Sequence, residues 1–334
     1  MPPTVDPVLI ALDWGTSSFR AFLLGPGATV LDQRGSAEGI TNLPRPGAEG
    51  FADVFTAQCG AWLARWPGLP VVAGGMVGSA QGWREAPYAT CPADLSGLAR
   101  AAVEVEAPGA RILIAPGVLS APAEGAPDVI RGEEIQVAGA LLAHPELAAR
   151  ARFLMPGTHS KWVSLEDGRI TGFATYMTGE LFAVLCRHSL LGRLMPEGEQ
   201  AAPEAADEAF ALGLRMARES GPGDLAHQLF ATRTLGLTKR LPAAALADFL
   251  SGLLIGHEVV SGLAHTGAAE AGLPLALIGE GTLCRRYAAV LESLGAPPAL
   301  LLGNTAPAGL FQFAIAAGLV RPAPAANPAE EAAP

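Results

Sequence analysis

Short apolar segments separated by Gly- and Pro-containing turns form the N-terminal part of the chain. Three of them, Val8–Trp14, Ser18–Leu24 and Ala28–Arg34, have the length and the flanking residues of β-strands. The segment Phe51–Trp66 then repeats its apolar residues at helical spacing. This order predicts three strands joined by tight turns and followed by a helix.

The same pattern begins again near the middle of the chain. Three further strands are predicted at Phe153–Met155, Lys161–Leu165 and Arg169–Tyr176. Helical patterns dominate from Gly179 to about His265, and two strands, each followed by a helix, come after them. The chain therefore has two halves that open in the same way.

A short motif occurs at equivalent places in both halves. Gly15-Thr16-Ser17-Ser18 and Gly157-Thr158-His159-Ser160 each follow an apolar strand and precede a second strand. Glycine lets a ligand approach the backbone closely, and backbone amides and hydroxyl groups can donate to phosphate oxygens. The repeat predicts a duplicated domain in which two such turns clamp a polyphosphate across a cleft.

The length of 334 residues also fits two domains. We predict an N-terminal domain over residues 1–148 and a C-terminal domain over residues 149–320. A disordered tail rich in Pro, Ala and Glu is predicted over residues 321–334.

Charge and cysteine usage exclude several classes of protein. The net charge of −10 argues against a general nucleic-acid binder. The four cysteines lack the spacing of a metal site and are expected to be reduced thiols, and the N-terminus lacks the pattern of a signal peptide. The apolar stretch around Ala243 to Val260 contains Asp248, His257 and Glu258, so a core helix is expected rather than a membrane span. A cytoplasmic protein is predicted.

One acidic residue distinguishes the two turns. Asp13 precedes the first turn, whereas Met155 holds the matching place before the second. A carboxylate beside a phosphate-binding turn can hold Mg²⁺ directly or through water. The alternative is that Asp13 only caps the turn.

The pattern Asp13-x-Gly15-Thr16-x-x-x-Arg20, together with the second turn, resembles the superfamily of sugar kinases, hexokinase, Hsp70 and actin. Further blocks resemble one family of it, the 2-dehydro-3-deoxygalactonokinases: Gly75–Ser79 with Gly82-Trp83, Ile130–Glu134, Pro156–Trp162 and Thr175–Glu180. The resemblance implies an α/β fold of two duplicated ribonuclease-H-like domains with ATP in the cleft between them. It also implies ATP-dependent phosphorylation of the 6-hydroxyl of 2-dehydro-3-deoxy-D-galactonate, in galactonate breakdown. The sugar acid and Mg²⁺ are then expected in the domain of residues 1–148, and the nucleotide in the domain of residues 149–320.

A general base is expected at Glu133 or Glu134, which open a predicted helix. Related carbohydrate kinases carry the base in a Gly-Asp pair at the start of a helix in this place, and Gly132-Glu133 occupies that place here with Glu instead of Asp. Both acids remain candidates. Alternatively, they only offset the positive end of the helix dipole.

The substrate is an anion, so an arginine should bind its carboxylate through two hydrogen bonds. Arg20, Arg84 and Arg131 are the candidates, and the sequence does not choose among them. Arg20 could instead contact phosphate or pair with an acid. Ser18 is expected near the substrate. Trp83 could pack against its carbon chain or belong to the core.

In the second half, Lys161 either contacts phosphate or points outward from its strand, and His159 is expected to be a hydrogen-bonding loop residue. By resemblance to the superfamily, Gly279, Glu280 and Gly281 lie against the adenosine.

Two other functions remain open at this point. The chain could phosphorylate another aldonate or deoxy sugar acid. It could also be a non-catalytic sugar sensor or scaffold that kept the nucleotide fold, although a pure binder has no need of an acid beside the phosphate site. The sequence does not indicate the oligomeric state.

Overall fold

A computed structural model describes residues 5–265 and 272–322, which fall into two compact units. Unit 1 contains the chain up to Ala149, the segment Glu166–Gly172 and the chain from Asn304 onward. Unit 2 contains Arg150–Leu165 and Phe173–Gly303. Residues 323–334 of the predicted tail lie outside the described residues.

The strands and helices are numbered in chain order. The strands are β1 (Leu9–Trp14), β2 (Phe19–Leu24), β3 (Val30–Ser36), β4 (Val71–Gly75), β5 (Tyr88–Thr90), β6 (Val103–Ala107), β7 (Ala110–Ile114), β8 (Gly117–Ser120), β9 (Asp128–Ile130), β10 (Arg150–Met155), β11 (Ser160–Glu166), β12 (Arg169–Tyr176), β13 (Leu275–Ile278) and β14 (Leu300–Leu302). The helices are α1 (Ala48–Arg65), α2 (Leu95–Ala101), α3 (Glu133–Ala143), α4 (Thr178–His188), α5 (Pro203–Arg218), α6 (Leu225–Leu229), α7 (Ala231–Leu237), α8 (Leu246–His265), α9 (Gly281–Ser293) and α10 (Ala306–Ala316).

The two large sheets have the same strand order over five strands. In unit 1 the order is β3-β2-β1-β4-β7-β6, and the five-stranded sheet has the order β12-β11-β10-β13-β14. In each sheet the first three strands of the half form a meander, and two further strands follow in parallel beside its first strand. The sixth strand of unit 1, β6, is antiparallel to β7 at the edge of the sheet. The strand orders confirm the predicted duplication of a ribonuclease-H-like α/β domain.

Alternation of side chains along β1 determines where its polar residue lies. Ile10, Leu12 and Trp14 pack into the core cluster that contains α1. Successive side chains of a strand point to opposite faces, so Asp13 projects from the other face of the sheet. On that face of the neighbouring β4, Gly74 lies against α3 and α10, because a Cβ placed there would be 3.3 Å from Ile135 and 3.2 Å from Leu310.

The C-terminal helix α10 belongs to unit 1. It packs closely against α3, because a Cβ placed on Gly309 would lie 1.8 Å from the carbonyl oxygen of Ile135. The compact units thus divide the chain differently from the predicted ranges: residues 304–320, predicted to belong to the nucleotide domain, pack in unit 1. A long-range helix contact of this kind leaves no periodic signal in the sequence.

Helix α8 forms the centre of unit 2. The stretch Ala243–His265 is long and apolar enough, by composition, to cross a membrane. In the structure, however, α8 is buried along most of its length, with Phe249 and Leu253 in a core shared with α5. The burial is that of a core helix.

Three small strands were not expected from the sequence. β5, β8 and β9 form a separate three-stranded sheet in unit 1. The chain leaves this sheet at Ile130 and enters α3 three residues later, at Glu133. The small sheet therefore fixes the direction from which the chain approaches the start of α3.

Candidate active site

The first turn, Gly15–Ser18, closes on itself and is held from outside. The amide of Gly15 donates to the carbonyl oxygen of Ser18 at 2.9 Å. The carbonyl of Thr16 accepts from the amide and the hydroxyl of Thr41, at 3.1 and 2.8 Å. Thr16 and Ser17 remain exposed. The backbone of the turn is fixed, and its hydroxyl groups face solvent.

Asp13 lies at the end of β1, opposite Arg20 on β2. Its Oδ2 is 3.0 Å from Nη2 of Arg20, but this buried oxygen has no partner in hydrogen-bond geometry within the described part of the chain. Burial raises the pKa of the Asp13 carboxyl, and the charge of Arg20 acts in the opposite direction. Arg20 is thus placed as the ion-pair partner of Asp13.

The start of α3 meets the ends of β1 and β4. Gly132 and Gly75 have φ values of 111° and 89°, a region that side chains other than glycine avoid. A Cβ on Gly132 would lie 3.4 Å from the Cα of Gly75, and a Cβ on Gly75 would lie 2.8 Å from the carbonyl oxygen of Trp14. These contacts place the two acids of α3 at the same end of the sheet as Asp13.

The two adjacent glutamates have different surroundings. Glu134 is 2% exposed, and both of its carboxyl oxygens accept from the amide of Gly132, at 2.9 and 2.7 Å. Burial and the neighbouring charge of Glu133 raise the pKa of Glu134 to about 8. Glu133 is half-buried, and its Oε2 accepts from the amide of Arg131 at 2.9 Å. Glu134 therefore fixes the helix start from inside, whereas the carboxylate of Glu133 is the more accessible one.

The raised pKa of Glu134 predicts a specific dependence of stability on pH. Between the ordinary pKa of 4.5 and about 8 the folded chain holds a proton that the unfolded chain has lost, so the free energy of unfolding should fall as pH rises through this range. Glu134→Gln removes this ionisation. We expect the variant to gain stability relative to the wild type between pH 5 and pH 8, as measured by denaturant unfolding. A difference in unfolding free energy between the two proteins that does not change with pH would contradict the raised pKa of Glu134.

Arg131 has two donors without acceptors. Its guanidinium lies 4.4 Å from the centre of the Tyr88 ring, and Nη2 donates to the carbonyl oxygen of Ala86 at 2.9 Å. Nε and Nη1 are buried and have no hydrogen-bond partner among the described residues. Leaving buried charged donors unsatisfied is costly, so an anion that accepts from Nε or Nη1 would offset this cost.

The other two candidates for the substrate have partners elsewhere in unit 1. Arg84 is exposed and donates to the carbonyl oxygen of Glu104, on the edge strand β6. Trp83 is half-buried, with its ring stacked on Phe51 at 5.6 Å and packed edge-on to Trp14 at 6.0 Å. The placement of Trp83 is that of a residue at the edge of the apolar core.

In unit 2, the second turn is joined to the start of α4. The amide of Glu180 donates to the carbonyl oxygen of Thr158 at 2.9 Å, and the side chain of Glu180 hydrogen-bonds to His159. A Cβ on Gly179 would lie 2.4 Å from the carbonyl oxygen of Gly157, so only glycine allows this approach. Lys161 is 6% exposed, so it does not point outward into solvent.

A pocket of about 360 Å³ opens beside this turn. Its walls are mostly apolar and come from the second turn, α4, α8 and α9. The lining residues are Gly157, Thr158, Thr178, Gly179, Phe182, Ser251, Leu254, Ile255, Leu283, Arg286 and Tyr287. Apart from Gly157 and Thr158, these residues were not singled out from the sequence, although Thr178 and Gly179 lie in one of the blocks that carry the family resemblance.

The segment Gly279–Gly281 begins α9 next to the second turn. A Cβ on Gly279 would lie 3.4 Å from the carbonyl oxygen of Pro156. Both carboxyl oxygens of Glu280 accept from amides of its own helix, those of Thr282 and Leu283, at 2.9 and 2.8 Å. These hydrogen bonds lower the pKa of Glu280. Glu280 is therefore placed as the N-cap of α9.

Comparison with known proteins identifies the family. A family model described as 2-keto-3-deoxy-galactonokinase matches residues 13–313. A relative from Rhizobium meliloti (strain 1021), named as a probable 2-dehydro-3-deoxygalactonokinase, is 40% identical over 85% of this chain and 89% of its own length. The chain belongs to the 2-keto-3-deoxy-galactonokinase family.

Two further comparisons agree with this assignment. The 2-dehydro-3-deoxygalactonokinase of Escherichia coli (strain K12) is 37% identical over 89% of this chain and 94% of its own length. A crystal structure from Sinorhizobium meliloti, named as a candidate 2-dehydro-3-deoxygalactonokinase, covers 92% of this chain and 98% of its own, with a TM-score of 0.80 and 37% identity.

The match to the 2-keto-3-deoxy-galactonokinase family begins at Asp13 and ends within α10. It therefore contains both turns, the start of α3 and the pocket of unit 2. The family resemblance stated from the sequence blocks is confirmed.

Proposed function

We propose that this chain transfers the γ-phosphoryl group of ATP to the 6-hydroxyl of 2-dehydro-3-deoxy-D-galactonate, giving the 6-phosphate and ADP. The observation that carries the proposal is the family match over residues 13–313, with relatives of this name at 37–40% identity. The duplicated fold supports it, because each half places a Gly-Thr-x-Ser turn between its first two strands.

The pocket of unit 2 is the proposed site of the adenosine part of ATP. Its apolar walls suit a purine. Gly157 and Thr158 of the second turn also line the pocket, so the phosphates of a bound nucleotide can lie against this turn. The exposed hydroxyls of Thr16 and Ser17 supply similar donors in unit 1.

Mg²⁺ is the proposed partner of Asp13. Carboxylate oxygen is the ligand type that Mg²⁺ prefers, and Oδ2 of Asp13 is a buried oxygen that is ion-paired with Arg20 at 3.0 Å but has no hydrogen bond among the described residues. The described residues contain no cluster of three or more His, Cys, Asp or Glu side chains that could hold a metal. Asp13 therefore fits a metal whose other ligands are phosphate oxygens and water, which neutralises charge on the phosphates when bound.

Glu133 is the proposed general base. As the 6-hydroxyl attacks the γ-phosphorus, its proton passes to the carboxylate, the bond from the γ-phosphorus to the leaving oxygen breaks, and ADP departs. Glu133 is more accessible than Glu134, which is 2% exposed and bonded to the backbone of its own helix start.

Arg131 is the proposed partner of the substrate carboxylate. It directly precedes the turn into α3 and carries two buried donors without acceptors in the described part of the chain. A charge-assisted hydrogen bond from either donor to a carboxylate would satisfy that donor.

The direct test is ADP release by the full chain with ATP, Mg²⁺ and a panel of sugar acids. We expect turnover with 2-dehydro-3-deoxy-D-galactonate and a product phosphorylated at the 6-hydroxyl. Preference for a different aldonate would replace the substrate assignment. If the chain binds nucleotide tightly but consumes ATP with none of the sugar acids, the result would favour a non-catalytic sugar sensor.

A cytoplasmic location is part of the proposal. All four cysteines are free thiols, as expected in a reducing compartment. The net charge of −10 favours a small-molecule substrate over nucleic acid as the partner.

A further inference from the structure

A buried carboxylate lies behind the second turn and is not used in the proposed chemistry. Glu258, on the core helix α8, is 2% exposed. An ionised side chain at such a position is costly unless hydrogen bonds compensate for the lost hydration. Its partners therefore show what the residue is for.

Four donors from three other parts of unit 2 converge on this carboxylate. Oε1 accepts from Nε1 of Trp162 on β11 at 3.0 Å, and Oε2 accepts from the hydroxyl of Tyr287 on α9 at 2.5 Å. The hydroxyls of Ser160 and Thr178 also hydrogen-bond to it. Burial raises the pKa of Glu258, and all four hydrogen bonds act against that rise.

The partners are themselves parts of the nucleotide site. Ser160 ends the second turn, and its hydroxyl lies 3.1 Å from that of Tyr287. Thr178 begins α4, where the next residues pack on Gly157 and Thr158. Thr178 and Tyr287 line the 360 Å³ pocket, whereas Glu258 does not.

The helix is built to let the indole reach the carboxylate. One turn after Glu258, a Cβ on Gly262 would lie 2.5 Å from the Trp162 ring, so the ring occupies the space that a larger residue would fill. Without the carboxylate, Trp162 would bury an indole N–H that has lost its acceptor.

We propose that Glu258 is a positioning residue that fixes the second turn, the start of α4 and the Tyr287 side of the pocket as one rigid nucleotide-binding surface. This inference rests on the proposed function, in that it takes the second turn to hold phosphate. Glu258 acts through its four partners and does not touch the nucleotide.

The test is ADP binding by calorimetry on the full chain, with Glu258→Gln and Tyr287→Phe. Glutamine keeps the volume but replaces one acceptor by a donor, and phenylalanine keeps the pocket wall but loses the hydroxyl that donates to Glu258 and contacts Ser160. We expect each variant to weaken ADP binding about tenfold or more, since small displacements of binding groups have large effects. The double variant should be less than additive, because both remove the same network.

The matched control is His257→Gln. His257 is adjacent on α8, is half-buried and hydrogen-bonds to Gln228 at 2.7 Å, so the variant removes a comparable contact that is not joined to the turn. We expect its ADP affinity to match that of the wild type. In Glu258→Gln the KM for ATP should rise while the KM for the sugar acid stays unchanged, which a general loss of stability would not produce.

ADP affinity within twofold of the wild type in a folded Glu258→Gln chain would overturn the inference. If that variant does not fold, Tyr287→Phe decides by the same criterion. A wild-type chain that binds ADP but phosphorylates no sugar acid would contradict the proposed function and leave this inference standing, whereas a wild-type chain without ADP affinity would overturn both.

Discussion

Glu133→Gln is expected to lower turnover by about 10²- to 10⁴-fold and to leave the chain folded, because general-base catalysis contributes on that scale. Glutamine preserves the size of the side chain and can still accept from the amide of Arg131, the contact that Glu133 makes in the structure. It cannot take the proton of the substrate hydroxyl. Steady-state ADP release measures the loss of turnover, and the thermal unfolding midpoint shows whether the variant is folded.

Glu134→Gln is the companion variant. Its carboxyl is buried against the amide of Gly132, so its replacement should change the pH dependence of stability more than turnover. Near-native turnover in both single variants would show that neither Glu133 nor Glu134 is the general base. A loss confined to Glu134→Gln would assign the base to Glu134 instead.

Arg131→Lys is expected to raise the KM for the sugar acid by about tenfold to a hundredfold, with little change in the KM for ATP. A hydrogen bond to a charged group contributes roughly 1.5–3 kcal/mol, and lysine lacks the planar set of donors of a guanidinium. Arg131 is chosen over the other arginines because two of its donors have no acceptor among the described residues.

Arg84→Lys serves as the control for that variant. Arg84 is exposed and bonds to the backbone of β6, so its replacement should leave both KM values near those of the wild type. A large rise in the KM for the sugar acid in Arg84→Lys, with none in Arg131→Lys, would reverse the assignment.

The local features of the fold were predictable from sequence. The strands at the start of each half have apolar segments bounded by turn residues, and the repeated Gly-Thr-x-Ser turn revealed the duplication. The start of α3 was also recognised, because two acids at a helix N-terminus are a local signal.

What escaped prediction depends on contacts between distant parts of the chain. The sequence did not distinguish among the three candidate arginines. In the structure, the acceptors around each guanidinium distinguish Arg131 from the other two. The presence of Glu258 in the apolar stretch indicated a core helix and not a membrane span. Its hydrogen bonds to Trp162 and Tyr287 could not be predicted, because these residues are far from it in the sequence. Glu280 is a different case, because its contact is local. The sequence predicted it near adenosine, and in the structure it caps α9.

The return of α10 to unit 1 has a consequence for synthesis on the ribosome. Domains generally fold as they emerge, the N-terminal one first, but unit 1 lacks the helix that supports α3 until the chain from Asn304 onward has been made. The helix that carries Glu133 therefore gains its full packing only at the end of translation. A nascent chain halted after Gly303 would contain every residue proposed for chemistry and still lack the support that holds the base in place.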